Sequence, residues 1–135
     1  MTALGTVFDR GTLAARPSAG IDGQHYVATD NNTIYRDNGS SWDVIADKLT
    51  ITTQTTGYTA VRNDIVICNS ASAFTVTLPA VASSSGAMIV VKNKNTGLIT
   101  VDGAGAETID DQASQTLSQY DSITVVCDGS EWWII

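Results

Sequence analysis

Hydrophobic and polar residues alternate with a period of two along short stretches of this chain. The clearest stretch is FTVTL, in which Phe74, Val76 and Leu78 share one face and two threonines share the other. Similar strand-like runs recur roughly every eight to twelve residues with turn residues between them, and no stretch has a helical period. The pattern predicts an all-β fold, a short-strand antiparallel β-sandwich or barrel-like domain.

Two runs are more apolar than this alternation requires. AMIVVKN, residues 87–93, is nearly continuous and is expected to be a strand buried on both faces. In the final EWWII, Trp132 and Ile134 share one face, and Trp133 and Ile135 share the other. That strand is therefore either central in a sandwich or has one face on another subunit, and the second arrangement is favoured.

A short pattern occurs twice. NGSSWDVI at residues 38–45 matches DGSEWWII at residues 128–135. Asn-Gly and Asp-Gly between strand-like runs are strong hairpin signals, because a type I′ turn needs positive φ at both central residues. We predict two-residue loops at Asn38-Gly39 and at Asp128-Gly129, with all four residues left-handed.

These loops would fix the strand register. They place Tyr35 opposite Trp42, and Val125 opposite Trp132. The residues expected to pack in the core or between subunits are Tyr35, Trp42, Trp132, Trp133, Ile134 and Ile135.

The pattern also predicts the organisation of the chain. Residues 1–23 form an extended N-terminal arm that orders against a neighbour, or else a floppy terminus. Residues 24–47 form a β-hairpin module. Residues 48–57 form a threonine-rich connector with an edge strand at Leu49–Thr53, and residues 58–135 form a C-terminal β-domain.

Composition changes this picture in one respect. The chain is 43% hydrophobic and only 16% charged, against about 25% charged in typical proteins. So low a fraction of charged residues suggests that other subunits cover part of the surface.

The net charge is −7 and the basic residues are scattered, which disfavours nucleic acid as a partner. No apolar run approaches the ~20 residues of a membrane span, and no signal peptide is evident, so neither membrane insertion nor export is expected.

Few residues suggest catalysis. His25 is the single histidine, and no nucleophile motif accompanies it, so we expect no enzyme activity and assign no catalytic residue. The carboxylates of residues 102–111 lack EF-hand spacing, and we assign no metal and no cofactor.

Cys68 and Cys127 each lie within a stretch of alternating apolar residues. We expect buried reduced thiols, with a disulfide between strands as the alternative.

Two stretches resemble known phage proteins. GTLAARPSAGIDGQHYVATDNNTIYRDNGSSWDVI, residues 11–45, resembles a segment recurrent in tailed-bacteriophage virion proteins: Ala-Arg-Pro-x-Ala-Gly, then Tyr-x-Ala-Thr-Asp, then Tyr-Arg-Asp-Asn-Gly-x-x-Trp. Residues 74–135, containing FTVTLPA, MIVVKN, ITVDGAGAETIDD and SITVVCDGSEWWII, are similar to a β-module of phage fibre and decoration proteins. The resemblance implies a trimeric, all-β, non-enzymatic structural protein located in the virion, on the capsid surface or tail, and assembled in the host cytoplasm.

The chain lacks the shaft repeats, coiled coils and His-x-His motifs of long tail fibres. It therefore fits a homotrimeric capsid decoration (cement) protein or short head fibre, whose partners are copies of itself and capsid or other virion proteins. The shell contact is expected in the arm, through Arg10, Arg16 and Pro17. The alternative is a tail-fibre or baseplate subunit that binds a host-surface glycan or receptor, with tryptophans stacking on sugar.

Overall fold

The computed structural model describes residues 8–46 and 48–135. They form thirteen short strands and two 3-10 turns, in two compact units that divide between Lys48 and Leu49. The predicted all-β, sandwich-like class is confirmed. In the described part of the chain no helix is long and apolar enough to span a membrane.

The first unit is built on one four-stranded sheet. Its strands, in sheet order, are β1 (Phe8–Gly11), β2 (His25–Ala28), β3 (Thr33–Asp37) and β4 (Trp42–Ala46). β1 and β2 pair in parallel, and the other two pairs are antiparallel. A 3-10 turn at Leu13–Ala15 follows β1.

The predicted free arm is wrong for the part of it that the structure describes. β1 belongs to the sheet, and the chain after it is tied to the same unit: Tyr26 Oη donates to the Thr12 carbonyl at 2.8 Å, and Leu13 N–H donates to Asp30 Oδ1 at 3.0 Å. Residues 1–7 of the arm lie outside the described residues. The arm therefore folds onto its own chain, because its contacts come from residues far along the sequence that local periodicity cannot show.

The second unit contains two sheets. The five-stranded sheet has the order β13 (Trp132–Ile134), β12 (Ser122–Cys127), β9 (Met88–Asn93), β7 (Asp64–Cys68) and β5 (Thr50–Gln54). The four-stranded sheet has the order β11 (Ser114–Leu117), β10 (Ile99–Asp102), β8 (Phe74–Thr77) and β6 (Tyr58–Thr59). A second 3-10 turn covers Val81–Ser83.

The chain of the second unit winds as a coil. From β5 to β10, successive strands alternate between the two sheets, and each pairs in parallel with the strand two positions earlier. The last three strands pair antiparallel: β11 with β10, β12 with β9, and β13 with β12. Among the described strands five of the ten pairings are parallel, so the predicted antiparallel arrangement holds only in part. Alternation shows which face a residue occupies, but it does not show which strand lies beside it.

The segment predicted as a connector is also part of this unit. β5 lies at the edge of the five-stranded sheet, where an edge strand was predicted, and β6 lies at the edge of the four-stranded sheet. The core lies between the two sheets and comes from alternate residues of both. Its largest fully buried side chains are Leu78, Ile89, Ile99, Ile109 and Trp132.

The two repeated hairpins have the same loop, which differs from the predicted one. Asn38 N–H donates to Ser41 O at 3.0 Å, so the loop residues are Gly39–Ser40, and Gly39 has a φ of +89°. In the second hairpin they are Gly129–Ser130, with Gly129 at +99°. The prediction that Asn38 and Asp128 are left-handed is wrong.

Side-chain chemistry explains the difference. Asn38 Oδ1 accepts the N–H groups of Ser40 and Ser41 at 3.0 and 2.8 Å. Asp128 Oδ1 accepts those of Ser130 and Glu131 at 2.8 and 2.9 Å. Each Asx residue therefore closes the turn from the position just before the two-residue loop, which leaves positive φ to glycine.

The register changes with the loop. Trp42 lies opposite Asp37 rather than Tyr35, and Trp132 lies opposite Cys127 rather than Val125. Each partner shifts by two residues, so every side chain stays on its predicted face.

Candidate interaction surface

The outer faces of the two sheets in the second unit differ in chemistry. On the four-stranded sheet, strand register places only hydroxyl and carboxylate side chains outward: Thr59, Thr75, Thr77, Thr100, Asp102, Ser114 and Thr116. A sheet face made of threonine and serine suits water. This sheet therefore has one apolar face, which is buried in the core.

The outer face of the five-stranded sheet is apolar. Register places eight hydrophobic side chains there: Ile51, Ile65, Ile67, Met88, Val90, Val126, Trp133 and Ile135. Four polar residues share this face: Thr53, Lys92, Ser122 and Thr124. We call these twelve residues the apolar face. Large exposed apolar patches mark interaction sites more often than solvated surface.

The apolar face is continuous from one edge of the sheet to the other. Ile51 pairs with Ile65 and Ile65 pairs with Val90, so these three side chains form a row. The row continues through Thr124 to Ile135, whose N–H donates to the Thr124 carbonyl at 3.0 Å. Its two ends are open, because Ile51 is 72% exposed and Ile135 is 73% exposed.

β9 runs through the middle of this face. Ile89 and Val91 are fully buried, whereas Met88 and Val90 are only partly buried. The prediction that this run is buried on both faces is wrong for the single chain. An apolar run has the same sequence signature whether its second face meets its own core or another protein.

Edge strand β5 inverts the usual pattern. Its inward positions are polar, and Gln54 Nε2 donates to Thr52 Oγ1 at 2.8 Å. Its large apolar residue, Ile51, points outward. Burial in the chain's own core does not explain this placement, whereas burial against a partner on the apolar face would explain it.

Trp133 is held in place on the apolar face. Its Nε1–H donates to Asp128 Oδ2 at 2.9 Å. Hydrogen bonds from Ser130, Trp133 and Glu131 hold the pKa of the Asp128 carboxyl far below its usual range, so the acceptor stays charged. A half-exposed tryptophan with a fixed indole loses little rotamer freedom on binding, which suits an interface anchor.

The structure separates the residues predicted to pack at the C-terminus. Trp132 is fully buried in the core, and its Nε1 donates to the Pro79 carbonyl at 3.3 Å. Trp133 and Ile135 lie on the apolar face. Ile134 points to the same side as Trp132 but is partly exposed, and its N–H donates to Asp110 Oδ1 at 2.9 Å.

Two of the three predicted shell-contact residues are used inside the first unit. The Arg16 guanidinium stacks over Tyr35 at 4.3 Å and over Trp42 at 5.5 Å. The Pro17 carbonyl accepts the Trp42 Nε1–H at 2.9 Å. Pro17 is nevertheless exposed, as is Arg10, which lies on edge strand β1.

Sequence reasoning missed Asp37. Its side chain is fully buried, and its carboxylate accepts the N–H groups of Gly20, Ile21 and Gly39 at 2.7–2.8 Å. Burial alone would raise the pKa of Asp37, but these backbone donors outweigh it and the pKa is lowered. The available signal was an acidic residue at an inward position of the strand TIYRD.

The predicted thiols are both free and buried, and the disulfide alternative is wrong. Cys68 lies in β7 and Cys127 in β12, with β9 between them. Two strand spacings amount to about 10 Å, beyond the ~7 Å Cα separation that a disulfide can bridge. Burial raises the pKa of the Cys68 thiol to about 11, so it stays protonated.

The remaining candidate side chains have structural partners. His25 stacks on Phe8 with ring centroids 4.8 Å apart. The Glu107 carboxylate accepts the Val81 N–H at 3.1 Å, at the start of the second 3-10 turn. Among residues 8–46 and 48–135, no group of three or more His, Cys, Asp or Glu is placed to hold a metal ion.

Comparison with known proteins assigns no family. No protein-family model matches the chain, and no curated protein matches it. Solved structures do match, including a chain described as "Structure of a chaperone-substrate complex", with 19% identity and a TM-score of 0.42. The match covers 88% of this chain and 27% of the other, so this chain spans about a quarter of that protein. A similarity at this level carries no functional argument.

Proposed function

We propose that this chain is a structural protein of a bacteriophage virion, a homotrimeric capsid decoration (cement) protein or short head fibre. The apolar face carries the proposal, because it equips the second unit to associate with other protein chains. The resemblance of residues 11–45 and 74–135 to phage virion proteins supplies the setting. Its place is the virion surface, reached by assembly in the host cytoplasm.

Such a protein acts by binding rather than by turnover. A ligand that binds only the assembled shell stabilises it by the free energy of binding. A trimer contacts several shell subunits at once, and linked contacts raise the effective affinity without any new kind of interaction. The net charge of −7 keeps decorated particles apart in solution. Purified protein should show no hydrolysis of polysaccharides or esters above background.

The shell contact is proposed to be a folded surface of the first unit rather than a free arm. Arg16 and Pro17 are engaged inside that unit, whereas Arg10 is exposed on β1. β1 is an edge strand, so its outer backbone groups are available to a neighbouring chain. Arg10 can pair with a shell carboxylate beside that edge.

One observation favours the alternative, a tail-fibre or baseplate subunit that binds a host glycan or receptor. Trp133 is 40% exposed, and a charged carboxylate fixes its ring. Exposed aromatic rings beside hydrogen-bonding groups can stack on sugars. The same residue therefore serves both candidate functions, and only a binding experiment separates them.

The test is to add purified protein to undecorated shells and to measure bound mass and the melting temperature of the shell. The expected result is saturable binding with a rise in that temperature. Arg10→Glu should weaken binding, whereas Lys94→Glu, an equal charge change at an exposed position of the second unit, should leave it unchanged. If the wild type does not bind shells but attaches to host cells, and Trp133→Ala abolishes that attachment, the tail-fibre or baseplate function is correct.

A further inference from the structure

We infer that the apolar face is the surface through which copies of this chain associate with one another. The inference rests on the proposed homotrimer and names the part of the chain that forms it. It needs no virion partner and can be tested on the purified protein alone.

Composition identifies a second copy as the occupant. Eight of the twelve outward residues of the apolar face are hydrophobic. Non-obligate interfaces, in which each protein is also stable alone, are about as apolar as the rest of the protein surface. Interfaces between identical chains contain a larger fraction of apolar area. The threonine face of the other sheet shows what the solvated surface of this unit looks like.

Charge leads to the same occupant. The chain carries −7 overall, so copies repel one another over most of their surface. The side chains of the twelve residues of the apolar face include no carboxylate and one cation, Lys92. The Lys92 ammonium donates to the Tyr120 carbonyl of its own chain. Copies can therefore associate through this face without bringing carboxylate side chains together.

The area is sufficient for a stable contact. Five strands at about 4.8 Å spacing and three rows of side chains give a face of about 24 by 20 Å. Three chains that each turn this face toward a three-fold axis would bury about 1,400 Å² in total, above the ~1,000 Å² that a specific interface needs. The anchors lie at opposite edges of the sheet, with Trp133 on β13 and Ile51 on β5.

The experiment compares molar mass by light scattering across a dilution series for the wild type, Ile51→Thr and Trp133→Ser. Leu98→Thr is the matched control, because Leu98 is an exposed hydrophobic residue outside the apolar face. We expect a trimeric mass for the wild type and for the control. Each apolar-face variant should dissociate at concentrations at least ~10-fold higher, the size of effect expected at an interface anchor. Circular dichroism must show that each variant keeps its β-sheet content.

A second measurement does not depend on destabilising the contact. Ile135→Cys places a thiol on the apolar face, and Leu98→Cys places one outside it, while the native thiols are buried. With a flexible bis-maleimide cross-linker, which does not require the two thiols to touch, we expect covalent dimers from Ile135→Cys and none from Leu98→Cys.

A monomeric wild type at micromolar concentration would overturn the inference, as would variants that keep the trimeric mass. If the variants stay trimeric and lose only shell binding, the apolar face is the shell contact, and the proposed function survives without this inference. If the trimer forms through this face but never binds shells, the inference stands and the proposed function fails.

Discussion

The indole of Trp132 donates its Nε1–H to the carbonyl oxygen of Pro79 at 3.3 Å. In the first unit Trp42 does the same to Pro17 at 2.9 Å, and these are the two prolines of the chain. An indole N–H that loses water, as Trp132 does fully and Trp42 in part, needs another acceptor. Each hairpin tryptophan therefore ties its strand to an irregular segment, and the repeated sequence pattern is a repeated structural device.

We expect Trp132→Phe to lower the free energy of unfolding by about 1–3 kcal/mol, because the Pro79 carbonyl loses its donor and the core loses volume. Trp132→Ala should cost about 3–5 kcal/mol. Urea denaturation measures both. Tyr120→Phe is the control, since Tyr120 is exposed, and it should change stability by less than about 0.5 kcal/mol. Equal losses for Trp132→Phe and the control would show that the indole hydrogen bond contributes nothing.

The turn glycines should be the least replaceable loop residues. Gly129 has a φ of +99°, and an added Cβ would lie 3.3 Å from Ser85. Gly129→Val should cost about 2 kcal/mol or more, because a β-branched residue is strained at positive φ. Ser130→Ala removes one exposed hydroxyl bond to Asp128 and should cost about 0.5 kcal/mol. Thermal denaturation of the two variants measures this difference in stability. Similar melting temperatures would contradict the role assigned to Gly129 in the turn.

Asp128 should make stability depend on acid. Hydrogen bonds from Ser130, Trp133 and Glu131 lower its pKa in the folded chain below the ordinary 3.8. A group with a lowered folded pKa stabilises the fold above its unfolded pKa, and that contribution is lost as pH falls. Stability should therefore decline below about pH 4, and Asp128→Asn should flatten that decline. Unfolding free energies measured from pH 7 downward test this, and parallel pH profiles for variant and wild type would refute it.

Removing residues 1–20 should unfold the first unit. The deletion takes away β1, which pairs with β2, and it also removes Arg16 and Pro17, which contact the aromatic side chains of that unit. Amide hydrogen exchange should show lost protection at residues 25–46 and unchanged protection in residues 64–127. Removing residues 1–7 alone is the control and should leave β2 protected. Full protection after the longer deletion would mean that the N-terminal segment is dispensable for folding.

Periodicity predicted faces better than neighbours. The alternation at residues 74–78 correctly placed Val76 and Leu78 on one face, and that face is the buried one. It carried no information on parallel pairing, because any strand can lie beside any other with the same alternation. The apolar run at Met88–Asn93 was ambiguous for a related reason, since an outward interface and an inner core require the same residues.

The prediction of the turn residues was wrong for a chemical reason. Asn38 and Asp128 suit both a left-handed turn position and the position before it, where a side-chain oxygen can accept backbone N–H groups. The sequence pattern cannot separate these two uses. β1 was missed because Phe8–Gly11 is too short to show a period, and its partner β2 begins at His25, beyond a segment without strand character.

The coiled winding of the second unit would allow this unit to be lengthened by inserting whole turns of chain. Its first turn occupies residues 50–63, where β5 and β6 each pair with one strand, the next strand of their own sheet. In such a winding each turn depends on its neighbours alone, so a further turn inserted beside the first meets the same pairing rules. Duplicating residues 50–63 would widen the five-stranded sheet by one strand, about 4.8 Å, and would add a second outward isoleucine in line with Ile51. Growth by insertion would thus enlarge the contact surface without redesigning the core.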